Sequence, residues 1–306
     1  MTLAGPLVLG VAGVIAGGFG WGAVEARAFT TRRVRVPVLP AGSTPIRVLH
    51  LSDIHLVPSQ RAKLRWLGGL ADLAPDLVIN TGDNLAHPGA VAPLLEALAP
   101  LLRLPGAFVY GSNDYFGPVL KNPFTYFRGP TRLRPAPAEL PWGALTEAFV
   151  EAGWRDLTNA RATVGVKGAE VDLVGLDDPH LERDRMPPRP RGSSRAERLK
   201  IGVVHAPYAR ALEVLRDDGA QLVLAGHTHG GQVRVPGVGA LVTNCDLDRR
   251  RARGLSGWPG VRPDRAAGGA SIWLHVSAGI GTSPYAPVRF ACRPEATLLE
   301  LVAAGT

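Results

Sequence analysis

Cysteine is nearly absent from this chain. Cys245 and Cys292 are the only two in 306 residues and lie far apart, so no C-x-x-C dithiol or cysteine-rich zinc motif can form and both read as buried thiols. Aromatic residues are scarce as well, at 6%, and no basic stripe carries interleaved aromatics, which argues against a specific nucleic-acid partner. Acidic residues are the minority charge, with 26 Asp and Glu against 34 Lys and Arg, giving a net charge of +8 and a pI near 10.1. That balance favours anionic partners such as phosphate groups or acidic lipid. Arginine greatly outnumbers lysine, in keeping with an Ala/Arg/Gly/Pro-rich composition. With 46% hydrophobic residues, a chain of this length can bury the core of one large domain with a short appendage.

Charge is missing altogether from Leu7 to Val24, a stretch followed by Glu25, Arg27, Arg32, Arg33 and Arg35. Its length is borderline for a membrane span, and it repeats the small-xxx-small spacing at Gly13/Gly17 and Gly18/Gly22 that lets helices approach closely in lipid. No Lys or Arg precedes the apolar run and no twin arginine is present, which argues against a cleaved signal peptide. The expectation is a hydrophobic helix within residues 1–34 acting as a single anchor in the cell membrane, with residues 35–306 forming the main domain. The arginines after the span would hold that domain on the cytoplasmic side. The alternative is a weakly hydrophobic helix docked on its own domain.

Arg35 to Pro45 is Pro-rich and reads as an extended linker into a strand at Ile46 to Leu51. Strands near Leu77 to Asn80 and Ala107 to Tyr110 follow helix-compatible stretches at Arg61 to Leu73 and Ala90 to Leu102, a βαβαβ rhythm that predicts parallel pairing. The rhythm fails from Tyr115 to Trp142, which holds six prolines with mixed aromatic and basic residues. Such an insertion reads as a lid, a lipid contact or a packed surface loop. Glu182 to Arg198 reads as a solvated connector, and the apolar runs at Trp273 and Thr297 as closing strands.

The apolar runs end in metal-ligand residues. Leu222 to Ala225 leads into Gly226-His227-Thr228-His229-Gly230-Gly231, where two imidazoles sit on a glycine-rich turn. Upstream runs end at Asp53 and His55, at Asp83 and Asn84, at Asn113 and Asp114, and at His205. In open α/β sheets ligands bind beyond the carboxyl ends of the strands, so these clusters are expected to share one site. Their mixed oxygen and imidazole donors suit Mn, Fe or Zn rather than Ca or Mg. His50 and His275, inside apolar runs, read as structural.

In order, D-x-H, G-D-N, G-x-N-D, a lone His and G-H-x-H resemble the signature of the calcineurin-like metallophosphoesterases, over roughly Ile46 to Leu301. The Gly226 to Gln232 sequence GHTHGGQ is most similar to the bacterial membrane-associated branch. The resemblance implies an α/β fold of two packed mixed β-sheets flanked by helices. It also implies two divalent transition-metal ions, one held by Asp53, His55 and His229 and the other by Asn113, His205 and His227, with Asp83 bridging. Such a centre would hydrolyse a phosphomonoester or phosphodiester with a metal-bridging hydroxide, on a nucleotide, a pyrophosphate or a phospholipid head group. Asn84 and His87 would line the substrate cleft.

The chain departs from the family pattern where the usual G-N-H-D/E reads Gly111-Ser112-Asn113-Asp114. A direct alignment puts Ser112 at the ligand asparagine and Asn113 at the histidine that protonates the leaving group. Because a neutral hydroxyl is the poorer ligand, a local shift is expected, with Asn113 ligating and Asp114 on the leaving-group side. The motif then lacks its general acid, and His180, oriented by Asp178, is the candidate replacement. Two other classes fit the same donors: a degenerate member that binds a phosphorylated ligand without turnover, and a redox di-iron protein.

Overall fold

Short runs such as Leu77–Asn80, apolar up to its closing asparagine, and the wholly apolar Leu222–Ala225 are too short for core helices and are buried along their whole length, as inner strands of a two-faced sheet must be. The computed structural model describes residues 17–120, 138–189 and 198–305. It arranges such runs in two six-stranded mixed sheets. In chain order the strands are β1 (Thr30–Leu39), β2 (Ile46–Leu51), β3 (Leu77–Asn80), β4 (Gly106–Phe108), β5 (Arg155–Asp156), β6 (Arg161–Val166), β7 (Ala169–Gly175), β8 (Leu199–Val203), β9 (Leu222–Ala225), β10 (Arg234–Val235), β11 (Gly239–Ala240), β12 (Gly254–Trp258), β13 (Ile272–Val276) and β14 (Glu295–Ala303). The first sheet runs β1-β14-β2-β3-β4-β5, and β2 to β5 are mutually parallel, as the βα rhythm predicts. The second runs β12-β13-β9-β8-β7-β6, and β10 and β11 form a separate two-stranded hairpin.

The helices are α1 (residues 17–25), α2 (Arg61–Gly68), α3 (Val91–Leu102), α4 (Ser112–Tyr115), α5 (Trp142–Glu151) and α6 (Ala209–Asp217). Leu94, Leu98 and Leu101 place one apolar stripe of α3 against the first sheet, beside residues of α2 and α5. Ala211, Leu212 and Leu215 do the same for α6 on the second sheet. A third apolar layer, including Val48, Ile79, Leu299, Ile201, Leu222 and Leu224, fills the space between the sheets. The layers are therefore helix, sheet, sheet, helix. His50 and His275 meet across the sheet interface at 3.0 Å between their Nδ1 atoms, and burial holds both below the usual histidine range, so each is a neutral structural side chain.

One stretch differs from expectation. The first five residues of the Pro-rich linker, Arg35 to Leu39, are strand: they belong to β1, which pairs parallel with β14. Its edge position explains how Pro37, which lacks an N–H, is accommodated opposite Val302. At the N-terminus, α1 docks on the domain. The Gly22 carbonyl accepts from Arg289 N, and the buried Glu25 carboxylate accepts from the backbone of Ala291 and Cys292. Among the described residues no helix is long and apolar enough to cross a membrane, and the first part of the Leu7 to Val24 stretch lies outside them. Most of the Tyr115 to Trp142 insertion (residues 121–137) and part of the second connector (190–197) lie outside them as well.

One buried carboxylate ties the second sheet to its helix. Asp218, just past α6, accepts from Arg161 at 2.8 Å, Arg189 at 2.6 Å and Lys200 at 3.1 Å. Burial pushes its pKa up, but the hydrogen bonds from the three cations outweigh it and lower the value to about 2. A depressed carboxylate stabilises the fold above its unfolded pKa, near 4, and that contribution disappears as the pH falls toward 2. Asp218→Asn is expected to lower unfolding free energy by about 2 kcal/mol at pH 7, with the gap to wild type closing at pH 2, as read by urea unfolding at both pH values.

Candidate metal centre

The carboxyl ends of β2, β3 and β4 from one sheet and of β8 and β9 from the other meet at a single place. Asp53 and His55 follow β2, Asp83 follows β3, Asn113 follows β4, His205 follows β8, and His227 and His229 follow β9. Five of these seven residues have left-handed backbone, with φ of 50° at Asp53, 43° at His55, 56° at Asp83, 67° at His227 and 48° at His229. That conformation costs a non-glycine residue roughly 1–2 kcal/mol, and such strain gathers where function over-determines geometry. The loops are cross-tied to sustain it, by Asp53 N to Gly82 O, His55 N to Asp83 O, Gly226 N to His205 O and Ile280 N to Ser52 O.

Two overlapping groups of donor atoms result: Asp53 with His55 and His229, and Asp53 with Asp83 and His205. His55 Nε2 lies 3.2 Å from His229 Nε2 and 3.5 Å from Asp83 Oδ2. His205 Nε2 lies 3.4 Å from the same Asp83 oxygen, and His229 Nε2 is 3.5 Å from Asp53 Oδ1. Those spacings match the edge of a coordination polyhedron with bonds of about 2.1 Å. The tautomers fit too. His205 Nδ1 meets the Thr81 carbonyl at 2.7 Å and His229 Nδ1 meets the Gly281 carbonyl at 3.1 Å, and a carbonyl can only accept. In the neutral form of each ring the proton therefore sits on Nδ1 and the Nε2 lone pair faces the cluster. This backbone anchoring is the usual support of a metal-ligating imidazole. His205 Nε2 is buried without a hydrogen-bond partner, a cost that a bound cation would remove. The donor set fits divalent metal.

Electrostatics point the same way. Burial pushes Asp83 up, but the charge of His205, 3.4 Å away, then His55 and the Asn113 amide outweigh it and hold the carboxyl well below its ordinary range. Burial raises Asp53 to about 6 and lowers His55 to about 4. It also depresses His227, with help from His180 and His205, and His229, with help from His55 and Arg289. For His205 the pull of Asp83 outweighs burial and raises the pKa. At neutral pH the imidazoles of His55, His227 and His229 are thus neutral donors around an ionised Asp83, whereas His205 would release its proton on binding metal.

Asn113 meets Asp83 twice, through its backbone N at 2.8 Å and its side-chain Nδ2 at 2.7 Å, while Ser112 Oγ sits behind the amide. The amide beside the shared carboxylate is therefore that of Asn113. His227 falls outside both donor groups. Its backbone N–H donates to Asp53, its Nε2 faces the Asn244 carbonyl at 3.2 Å, and its ring lies 5.3 Å from that of His205. His180 sits 4.9 Å from the His227 ring, with Nδ1 3.0 Å from the Tyr208 hydroxyl.

Several expectations need correction. Asp114 is not on the leaving-group side: its two oxygens accept three backbone N–H groups, from Asp83, Asn84 and Gly111, and shape the loops that carry the ligands. Asn84 does not line a cleft either, since its side chain is fully buried and its Oδ1 accepts from Asn80. His87 is exposed and uses Nδ1 to cap the short turn at Pro88–Ala90. Asp178 bonds the backbone N–H of His180, and the Tyr208 hydroxyl meets the ring at Nδ1.

Sequence reasoning missed the layer behind the ligands. A Cβ at Gly226 would lie 1.9 Å from Ser52 Oγ and 2.6 Å from Asp53 Oδ2, and one at Gly111 would lie 2.3 Å from Asp83 Oδ1. These two glycines provide space for the carboxylates, whereas Gly230 and Gly231 do adopt the positive φ a tight turn needs. Arg289 is completely buried and donates to the carbonyls of Gly279 and Gly281, the second of which holds His229. Lys63 is buried as well and donates to Ile54 O and His55 O; burial and then the Arg289 charge lower its pKa to about 7. The Ser277-Ala278-Gly279-Ile280-Gly281 segment after β13, a pair of glycines at a strand end, was the only local signal for this layer.

A helix–sheet–sheet–helix fold with overlapping His/carboxylate groups at its strand ends is the architecture of a metal-dependent phosphoester hydrolase. The profile of the calcineurin-like phosphoesterase family matches residues 46–231, well over half of the chain, and the protein belongs to that family. It is similar to phosphodiesterase YaeI of Escherichia coli (strain K12), with 27% identity over 281 residues covering 90% of this chain and 88% of that protein. It is also similar to the metallophosphoesterase YkuE of Bacillus subtilis (strain 168), with 27% identity over 289 residues, 89% of this chain and 84% of the other. Among solved structures, a 5'-nucleotidase precursor from Thermus thermophilus aligns with a TM-score of 0.43 and 15% identity, over 84% of this chain and 55% of that one.

Proposed function

We propose that this enzyme hydrolyses a phosphodiester or a phosphomonoester, using two divalent transition-metal ions held between its sheets. The observation that carries this reading is the position of Asp83, one carboxylate oxygen of which lies 3.5 Å from His55 Nε2 and 3.4 Å from His205 Nε2 and so faces both donor groups at once. Asp53, His55 and His229 would hold one ion, His205 with Asn113 and His227 the other, and Asp83 both. When bound, such a pair supplies positive charge for the phosphoryl oxygens and activates water for in-line attack. The relative YaeI is named as a phosphodiesterase, which supports the diester.

The chain's own residues supply the rest. Tyr208 keeps its proton, because burial raises its pKa, and by donating to His180 Nδ1 it places the imidazole proton on Nε2. His180 then gives that proton to the departing oxygen, standing in for the histidine that the Gly111–Asp114 motif lacks. The uncharged Leu7 to Val24 stretch and the arginines after it hold the enzyme at a membrane, with the catalytic domain on the cytoplasmic side. Nucleotides, pyrophosphates and phospholipid head groups remain the substrate classes to screen.

The test is metal analysis of the purified full chain together with hydrolysis of bis(4-nitrophenyl) phosphate. Two ions per chain are expected, with activity lost on dialysis against a chelator and restored by manganese. A protein holding one ion at full activity, or hydrolysing the diester without metal, would overturn the dinuclear reading.

A further inference from the structure

Among the described residues, fourteen large apolar side chains are exposed, and eight of them fall on three short segments: Phe19, Trp21 and Val24; Val233, Val235 and Val238; and Tyr285 and Phe290. The three segments are neighbours. Gly22 of α1 receives the Arg289 N–H and sits against Val288, where an added Cβ would be 3.2 Å away. Phe290 in turn bridges to Val233, exchanging backbone hydrogen bonds with Gln232 and Arg234, and Gln232 Nε2 reaches the Ala286 and Val288 carbonyls. The β10–β11 hairpin continues from there and carries Val238, 69% exposed, near its tip. A surface this apolar is seldom left bare on a soluble domain.

We propose that residues 17–24, 232–240 and 283–290 form one face that lies on an anionic phospholipid bilayer. The proposal rests on the membrane reading above and goes beyond it, since an anchor alone would leave the catalytic domain free to tumble. Three observations select a bilayer as the occupant. The face is continuous with the chain that enters α1, uncharged from Leu7 onward. None of the three segments contains an Asp or Glu, while exposed Arg27 and Arg293 follow three residues after the first and the third, a distribution that suits acidic headgroups. Trp21 and Tyr285, at 60% and 54% exposure, are the residue types that settle at a membrane interface. The consequence for the enzyme is positional: His229 lies three residues before Gln232, so the metal centre is held next to the headgroup layer, and a phosphoester carried on a lipid is the substrate class best placed to reach it.

The experiment places a cysteine with an environment-sensitive fluorophore at Val238, and separately at Val150, which is 50% exposed on α5 outside this face. The unsubstituted full chain measures background from Cys245. With vesicles of phosphatidylglycerol and phosphatidylethanolamine, the position-238 label is expected to shift to the blue and to be quenched by nitroxide-labelled lipid, while the position-150 label does neither. If the chain sediments with the vesicles but the position-238 label stays solvent-like and unquenched, the docking face is wrong and the anchor stands. A chain that does not sediment with vesicles at all overturns both. A blue shift that appears without lipid and grows with protein concentration assigns the face to a second copy of the chain and also overturns the proposal.

Discussion

Asp83→Asn is expected to lower phosphoesterase activity by about 10³-fold or more, the scale on which removal of one pre-organised electrostatic group is felt, with loss of bound metal. The substitution keeps the size of the side chain and can still accept the Asn113 backbone N–H, so the fold should survive. The change is in the second oxygen. It now takes the Asn113 Nδ2 proton at 2.7 Å and faces His55 and His205, and the new NH2 would point a donor at a donor and remove the charge between the two groups. Metal content and near-UV circular dichroism should be read with the rate. A well-folded variant that retains two ions and wild-type turnover would show that Asp83 is not shared.

Replacing His180 should separate substrates by leaving group. General-acid catalysis contributes on the order of 10²–10⁴-fold where the departing oxygen is basic and little where it is not. His180→Ala should therefore lose about that factor on an alkyl phosphodiester and remain close to wild type on a nitrophenyl diester. Tyr208→Phe, which removes the hydroxyl 3.0 Å from Nδ1, should move the same ratio in the same direction by less, because it alters only how the ring is held. The readout is the ratio of kcat/KM for the two substrates, which a general loss of stability would leave unchanged. Equal losses on both substrates, or none, would remove His180 from the reaction.

Much of the site was legible along the chain because strand ends are local features. An apolar run followed by Asp53-x-His55, by Asp83 or by His227-x-His229 announces both the strand and what its end carries. Residues in the same motifs were harder to assign. Asn113 and Asp114 are adjacent and equally polar, and only the loop geometry sends one side chain to Asp83 and the other to three backbone amides. His87 and Asn84 sit close to Asp83 in sequence, yet one turns outward and the other is buried with its Oδ1 on Asn80.

The sequence by itself determined the parallel βα order, the donor types and the family, because each depends on residues within a few positions of one another. Tertiary structure decided everything that required distant chain segments to meet. Thr81 and Gly281 select the tautomers of His205 and His229 from 124 and 52 residues away. Arg289 and Lys63 are buried cations whose role exists only once the loops after β2 and β13 have closed over Asp53. Gly226 and Gly111 are needed for space that two other segments fill. β1 is a strand because the β14 edge offers it hydrogen bonds, which a stretch containing Pro37 would not by itself suggest. In each case the cause is satisfaction of buried polar groups across the fold, a requirement with no signature at short range in the chain.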